Sequence, residues 1–205
     1  ICNPNNPTGT PVTIRETESF LENVPRGVMV VLDEAYCEYI GDPAYPNGIE
    51  YVKRHPNVIS LRTFSKIYGL ASLRIGYGIA SEEIVGHLDH VREPFNTNTL
   101  AQAAARAALQ DQAFVEECRK RNREGMKQLT DRFDEWGLSY FPSQTNFVLV
   151  DLQQDSDAVF RKLLEQGIIV RSGRALGFPG YQRITVGSAE QNDKVLQALG
   201  SIVAG

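Results

Sequence analysis

The run Val28-Met-Val-Val-Leu32, held between Gly27 and Asp33, constrains the fold of this chain more than any other stretch. Five consecutive apolar residues, mostly β-branched, are too short for a core helix and lack the alternation of a half-solvated strand. They suit a strand covered on both faces, as in a parallel sheet. Thr13 and Glu16 have the spacing of a capping box, and Ile14, Phe20, Leu21 and Val24 supply the apolar side of a short helix ending before Pro25.

Further strands are expected at Val58 to Leu61 and Arg74 to Ala80. The pattern then turns helical over Glu82 to Val91, Thr99 to Leu109 and Ala113 to Trp136. After Gly137 strands are expected at Asn146 to Val150, Ile168 to Val170 and Arg183 to Val186, with helices over Ser156 to Gln166 and from Ser188, where Ser188 and Gln191 form a second capping-box pattern. The predicted architecture is α/β. A sheet region of residues 1–112 is followed by a long connecting helix, 113–136, and a smaller α+β domain, 137–205.

At 205 residues the chain can bury a substantial core, and its net charge of −4 gives no electrostatic reason to expect nucleic acid or an anionic membrane as partner. A small molecule is the default partner. Cys2, Cys37 and Cys118 are odd in number and far apart, which argues against a disulfide framework or a zinc site and fits a reducing, cytoplasmic setting. His55, His87 and His90 lack metal-ligand spacing, so no metal is expected. The opening "ICNPNNPTG" enters at once a turn that normally follows a strand, which reads as a fragment lacking an N-terminal portion.

Asp33 falls where the buried strand ends, the position at which open α/β sheets hold ligands, although a strand-terminal Asp caps a turn about as often. Tyr36 follows three residues on. A lone lysine such as Lys66 is by default a solvated one. Its setting in "TFSKIYGLASLRIGYG", with Ser65 before it and Arg74 eight residues after, asks for another reading.

Taken together in this order, "NPNNPTG", "DEAY", "SK" and the arginine eight residues beyond the lysine resemble the large domain of the pyridoxal-phosphate-dependent aminotransferases of fold type I, and the resemblance runs on through "RITVG". It implies a mainly parallel sheet flanked by helices, here a partial large domain, and pyridoxal 5'-phosphate as cofactor. It implies that Lys66 forms the Schiff base and moves the proton, and that Asp33 keeps the pyridine nitrogen protonated. Asn6 and Tyr36 take the ring hydroxyl, while Ser65 and Arg74, assisted by Thr63, take the phosphate.

Arg183 in "YQRITVG" is similar to the family arginine for the substrate α-carboxylate. Asn146 in "TNFVLV" lies in a motif that approaches the pocket. "RTFSKIYGLASLRIGYGIA", "REPFNTNTLAQAAA" and "GIIVRSG" look like the histidinol-phosphate aminotransferase subgroup, in which Arg171 meets the substrate phosphate. The reaction implied exchanges an amino group between L-histidinol phosphate and 2-oxoglutarate, with glutamate as the donor counterpart, in histidine biosynthesis, by a homodimer. Ser72 departs from the glycine common there. An aromatic aminotransferase, a threonine-phosphate decarboxylase of the same fold and a non-catalytic cofactor-binding fragment stay open as alternatives.

Overall fold

A computed structural model describes residues 1–25 and 27–203. The chain divides into two compact units. The first comprises Ile1–Asn5 and Pro11–Cys118, the second Asn6–Thr10 and Arg119–Gly205. The division falls between Cys118 and Arg119, inside the helix expected to link the domains, and the short segment Asn6–Thr10 groups with the second unit.

In the first unit, helix α1 (Ile14–Asn23) starts on the expected capping box: Thr13 Oγ1 accepts from Glu16 N–H, and the Glu16 carboxylate takes the Thr13 N–H in return. Its buried positions are Thr17 and Leu21, with Val24 packed alongside, whereas Ile14 and Phe20 stay exposed. Strand β1 (Val30–Asp33) pairs in parallel with β2 (Val58–Thr63), and β3 (Gly76–Ile79) pairs antiparallel with β2 on its other side. Between β1 and β2 lies a helix the sequence reading lacked, α2 (Gly48–Arg54), capped by Asn47, whose side chain accepts from Ile49 N–H. Seven residues opening on a glycine give too little periodicity to be read.

The two-sided burial expected of β1 is not found among the described residues. Leu21 and Tyr51 cover one face, closing a core with Val30, Leu32 and Val58. The other face leaves Val31 37% and Leu61 40% exposed. Strand β1 therefore alternates buried and exposed, while Val28 and Met29 before it both stay exposed, because the two covering helices lie on a single side of the sheet. Helices α3 (Glu82–Val91) and α4 (Thr99–Gln110) follow, with Ser81 and Asn98 as N-caps.

Helix α5 (Gln112–Glu135) begins in the first unit, where Val115 and Cys118 pack with Phe64, Ile67 and Tyr68. In the second unit its later turns place Leu129 and Phe133 in a core with α6 (Ser156–Leu164) and α7 (Ala189–Val203). These helices cover one face of an antiparallel sheet in the order β4 (Phe147–Asp151), β6 (Tyr181–Thr185), β5 (Arg171–Ser172). Val148, Val150 and Ile184 point into that core.

The strand expected at 168–170 lies instead at 171–172. Gly167 takes φ +75° and Ile168 N–H bonds back to Leu163 O, so residues 168–170 serve as the exit from α6 and the ladder starts only at Arg171. No helix among the described residues is long and apolar enough to cross a membrane.

Candidate active site

In the first unit the site residues gather at the carboxyl ends of the parallel strands. Asp33 closes β1 opposite Leu61, and its backbone is fixed by Asp33 N–H to Ile1 O at 2.8 Å and Asn3 N–H to Asp33 O at 2.9 Å. Its Oδ1 accepts from Ala35 N–H at 3.1 Å, the turn-capping contact a strand-terminal Asp commonly makes. No cation lies within ion-pair distance of this exposed carboxylate among the described residues, so Oδ2 is available to a ligand. Tyr36 is buried, and Lys66 Nζ stands 5.2 Å from the centroid of its ring.

The loop carrying Lys66 is held from below. β2 ends at Thr63, and Phe64, Ile67 and Tyr68 turn inward, the Phe64 ring meeting those of Tyr68 at 5.1 Å and Tyr77 at 5.6 Å. Phe64 N–H bonds to Ile75 O and Leu70 N–H to Phe64 O, which closes the loop on itself. Ser65 N–H donates to Thr63 Oγ1 at 3.0 Å. Arg74, at φ 51°, donates from Nη1 to Ser65 Oγ at 3.3 Å and to Ala71 O at 2.8 Å. Neither Lys66 nor Arg74 pairs with a carboxylate among the described residues. Thr63, Ser65, Lys66 and Arg74 thus form one cationic loop with hydroxyls beside it, a donor set suited to a phosphate.

Glu34 had no role in the sequence reading and proves to be the most constrained carboxylate of this unit. Only 2% exposed, it accepts from Gly48 N–H at 2.8 Å, Ser60 Oγ at 2.6 Å and Arg62 Nε at 3.0 Å. Arg62 also reaches Asn47 Oδ1 at 2.9 Å. Gly48 has to be glycine here, since a Cβ would stand 2.7 Å from Glu34 Oε2. No local pattern announces this cluster, because its members come from the residue after β1, from α2 and from β2.

Cys37, just beyond, has its thiol pushed well above the usual range, by burial first and then by Glu38. A raised thiol pKa means less thiolate at neutral pH and slower alkylation. At pH 8 iodoacetamide should modify Cys37 at least about tenfold more slowly in the native chain than in urea, as read by mass spectrometry of its peptide. None of the three cysteines is in a disulfide.

In the second unit Asn6–Thr10 is strapped to the loop before β4. Gln144 N–H bonds to Gly9 O at 2.9 Å, and Gly9, at φ +76°, lies so close that a Cβ would stand 2.0 Å from Ser143 Oγ. This brings Asn6 Oδ1 to Arg183 Nη1 at 2.6 Å, a pairing the sequence reading did not contain. The Arg183 guanidinium also lies 4.8 Å from the centre of the Phe147 ring. Asn146 stands next to that ring at the head of the β4–β6 ladder, its carbonyl accepting from Val186 N–H at 2.8 Å.

Arg171 and Arg183 are directly opposite one another on β5 and β6. Like charges at such a position repel, and no carboxylate is within ion-pair distance of either among the described residues. Arg183 Nε is buried without a hydrogen-bond partner. An orphaned buried donor beside an unneutralised cation pair is the arrangement an anionic ligand completes.

A curated relative, "Histidinol-phosphate aminotransferase" of Brevibacillus brevis, is 69% identical over the whole of this chain, which covers 56% of that protein. A solved histidinol-phosphate aminotransferase from Sinorhizobium meliloti, in complex with pyridoxal-5'-phosphate, superposes with a TM-score of 0.89 at 33% identity, over 100% of this chain and 56% of that one. A solved L-threonine-O-3-phosphate decarboxylase from Porphyromonas gingivalis gives a TM-score of 0.85 at 26% identity, over 100% of this chain and 64% of that one. The chain thus spans little more than half the length of the curated relatives it matches. Because the profile of the aminotransferase class I and II family matches residues 1–199, nearly the full length, the chain belongs to that family.

Proposed function

We propose that this chain is part of a pyridoxal-phosphate-dependent enzyme that transfers the amino group of L-histidinol phosphate to 2-oxoglutarate in histidine biosynthesis. The observation that carries the reading is the opposed pair Arg171 and Arg183, without a carboxylate in ion-pair reach among the described residues, which calls for anionic groups on the substrate. The fold is shared with a decarboxylase and so does not choose the reaction. The 69% identity to a histidinol-phosphate aminotransferase, against 26% to the decarboxylase, favours transamination.

When bound, pyridoxal phosphate supplies an aldehyde that condenses with amines and a ring that takes up the electrons of a breaking C–H bond. The residues fit such a group: a carbonyl-reactive amine, a carboxylate at a strand end, a buried phenol and a cationic loop with hydroxyls. Lys66 Nζ holds the group and carries the proton to and from the substrate α-carbon. Asp33 keeps the pyridine nitrogen protonated, and Tyr36 bonds the ring hydroxyl. Thr63, Ser65 and Arg74 take its phosphate, the Arg74 fork suiting a dianion.

On the substrate side Arg183, steadied by Asn6 and the Phe147 ring, binds the α-carboxylate of glutamate or 2-oxoglutarate, and Arg171 binds the phosphate of L-histidinol phosphate. Asn146, at the head of the same β4–β6 ladder, serves the substrate as well. We place the enzyme in the cytoplasm as a homodimer, with the exposed Val91, Phe95 and Leu100 as apolar surface for the contact.

The test supplies pyridoxal phosphate, then compares glutamate formation from histidinol phosphate and 2-oxoglutarate with carbon dioxide release from phosphothreonine. Glutamate without carbon dioxide is the expected result. Carbon dioxide release as the main reaction would replace the aminotransferase reading by a decarboxylase.

A further inference from the structure

β5 has only two ladder positions, Arg171 opposite Arg183 and Ser172 opposite Gln182. So short a ladder has little hold on its own register, and a slip of one residue would turn Arg171 to the core face and Ser172 outward. Repulsion between the two guanidiniums pushes in the same direction whenever no anion lies between them.

What fixes β5 lies on the core face. Ser172 Oγ is 2.5 Å from Asp157 Oδ1 and 3.0 Å from Ser156 Oγ. The other Asp157 oxygen, Oδ2, accepts from Arg174 Nε at 2.7 Å. Arg174 Nη2 reaches Asp155, the N-cap of α6, and Arg174 N–H donates to Ser156 Oγ at 3.3 Å. Gln182 Nε2 donates to Ser156 O, so both residues of the second ladder position are tied to the first turn of α6. Gly173 then turns the chain so tightly that a Cβ would stand 2.3 Å from Phe178 O.

We infer that Ser172, Asp157 and Arg174 are positioning residues that lock the register of β5, hold Arg171 opposite Arg183 and thereby set affinity for a phosphate-bearing ligand. The inference rests on the reading of Arg171 as the phosphate contact. A polar group buried at this place fixes one geometry where apolar packing of similar volume would be as stable but tolerant of a slip. The charges are sorted as well. Asp155 and Asp157 neutralise Arg174, which leaves Arg171 and Arg183 as the cations open to an anion.

The test titrates the 205-residue chain with inorganic phosphate and follows the side-chain Nε–H signals of Arg171 and Arg183 by NMR. Backbone signals of Val148, Ile184 and Leu199 report that the core is intact. In the unaltered chain both arginines should respond along one isotherm, and Arg171→Ala should abolish the response of Arg183.

Ser172→Ala and Asp157→Asn should each weaken phosphate binding about tenfold, the size of one charge-assisted hydrogen bond. Arg174→Gln touches only half-exposed ion pairs, keeps the unit folded and should weaken binding in the same direction. Unchanged phosphate affinity in these folded variants, with Arg171→Ala still abolishing it, would overturn the register lock alone. Phosphate binding that is absent from the unaltered chain or indifferent to Arg171→Ala would overturn the reading of Arg171, and the lock with it.

Discussion

Lys66→Ala is expected to end covalent capture of pyridoxal phosphate by the chain and to lower transamination by at least about 10³-fold where turnover is measured. The reason is local. The β2 ladder ends at Thr63, Phe64 and Ile67 are buried on either side of the loop, and Lys66 Nζ is left beside the Tyr36 ring with no carboxylate among the described residues to occupy it. Borohydride reduction followed by peptide mapping reads the capture directly, as label on the Lys66 peptide. Lys66→Arg separates charge from chemistry, because it keeps a cation but presents no reactive amine at neutral pH. Label or turnover persisting in Lys66→Arg would show that another residue does this work.

The second large effect is structural. Glu34→Ala should destabilise the first unit by about 3–5 kcal/mol, since it leaves Arg62 half-buried without its carboxylate and strips the acceptor from Ser60 and Gly48. Glu34→Gln keeps the shape and two polar atoms and should cost less. Hydrogen exchange at the β1 and β2 amides measures the change. Protection in Glu34→Ala equal to that of the unaltered chain would mean that solvent replaces the network at no cost. Because Glu34 adjoins Asp33 on the opposite face of the sheet, its loss should also loosen the strand end that presents the Asp33 carboxylate.

Much of the helical framework was legible in the residues. Thr13 with Glu16 and Ser188 with Gln191 form the capping boxes their spacing predicts, and Glu82–Val91 is a helix over the expected span. These elements are decided by hydrogen bonds and packing within a few residues. The less legible parts depend on what comes from elsewhere. Val28 to Leu32 reads as buried on both faces, yet α1 and α2 cover one, and Val31 remains exposed. The apolar Ile168-Ile-Val170 reads as a strand, but Gly167 in the left-handed region makes it the exit from α6. The helix at Gly48–Arg54 is too short to show a period.

The candidate site divides in the same way. The residues alone say which groups are present and in what order: a carboxylate at a strand end, a lysine in a tight loop, and eight polar or cationic residues spread over the remaining motifs. Those are covalent facts, and chemistry can be argued from them. It takes the folded chain to set Arg171 opposite Arg183 with no carboxylate in ion-pair reach among the described residues, to bond Asn6 to Arg183 across a separation of 177 residues, and to make Glu34 rather than Asp33 the buried acid. Opposition, burial and orphaned donors are properties of pairs brought together from distant parts of the chain. They are set by strand register and by which face a helix covers, and neither is encoded in any short stretch.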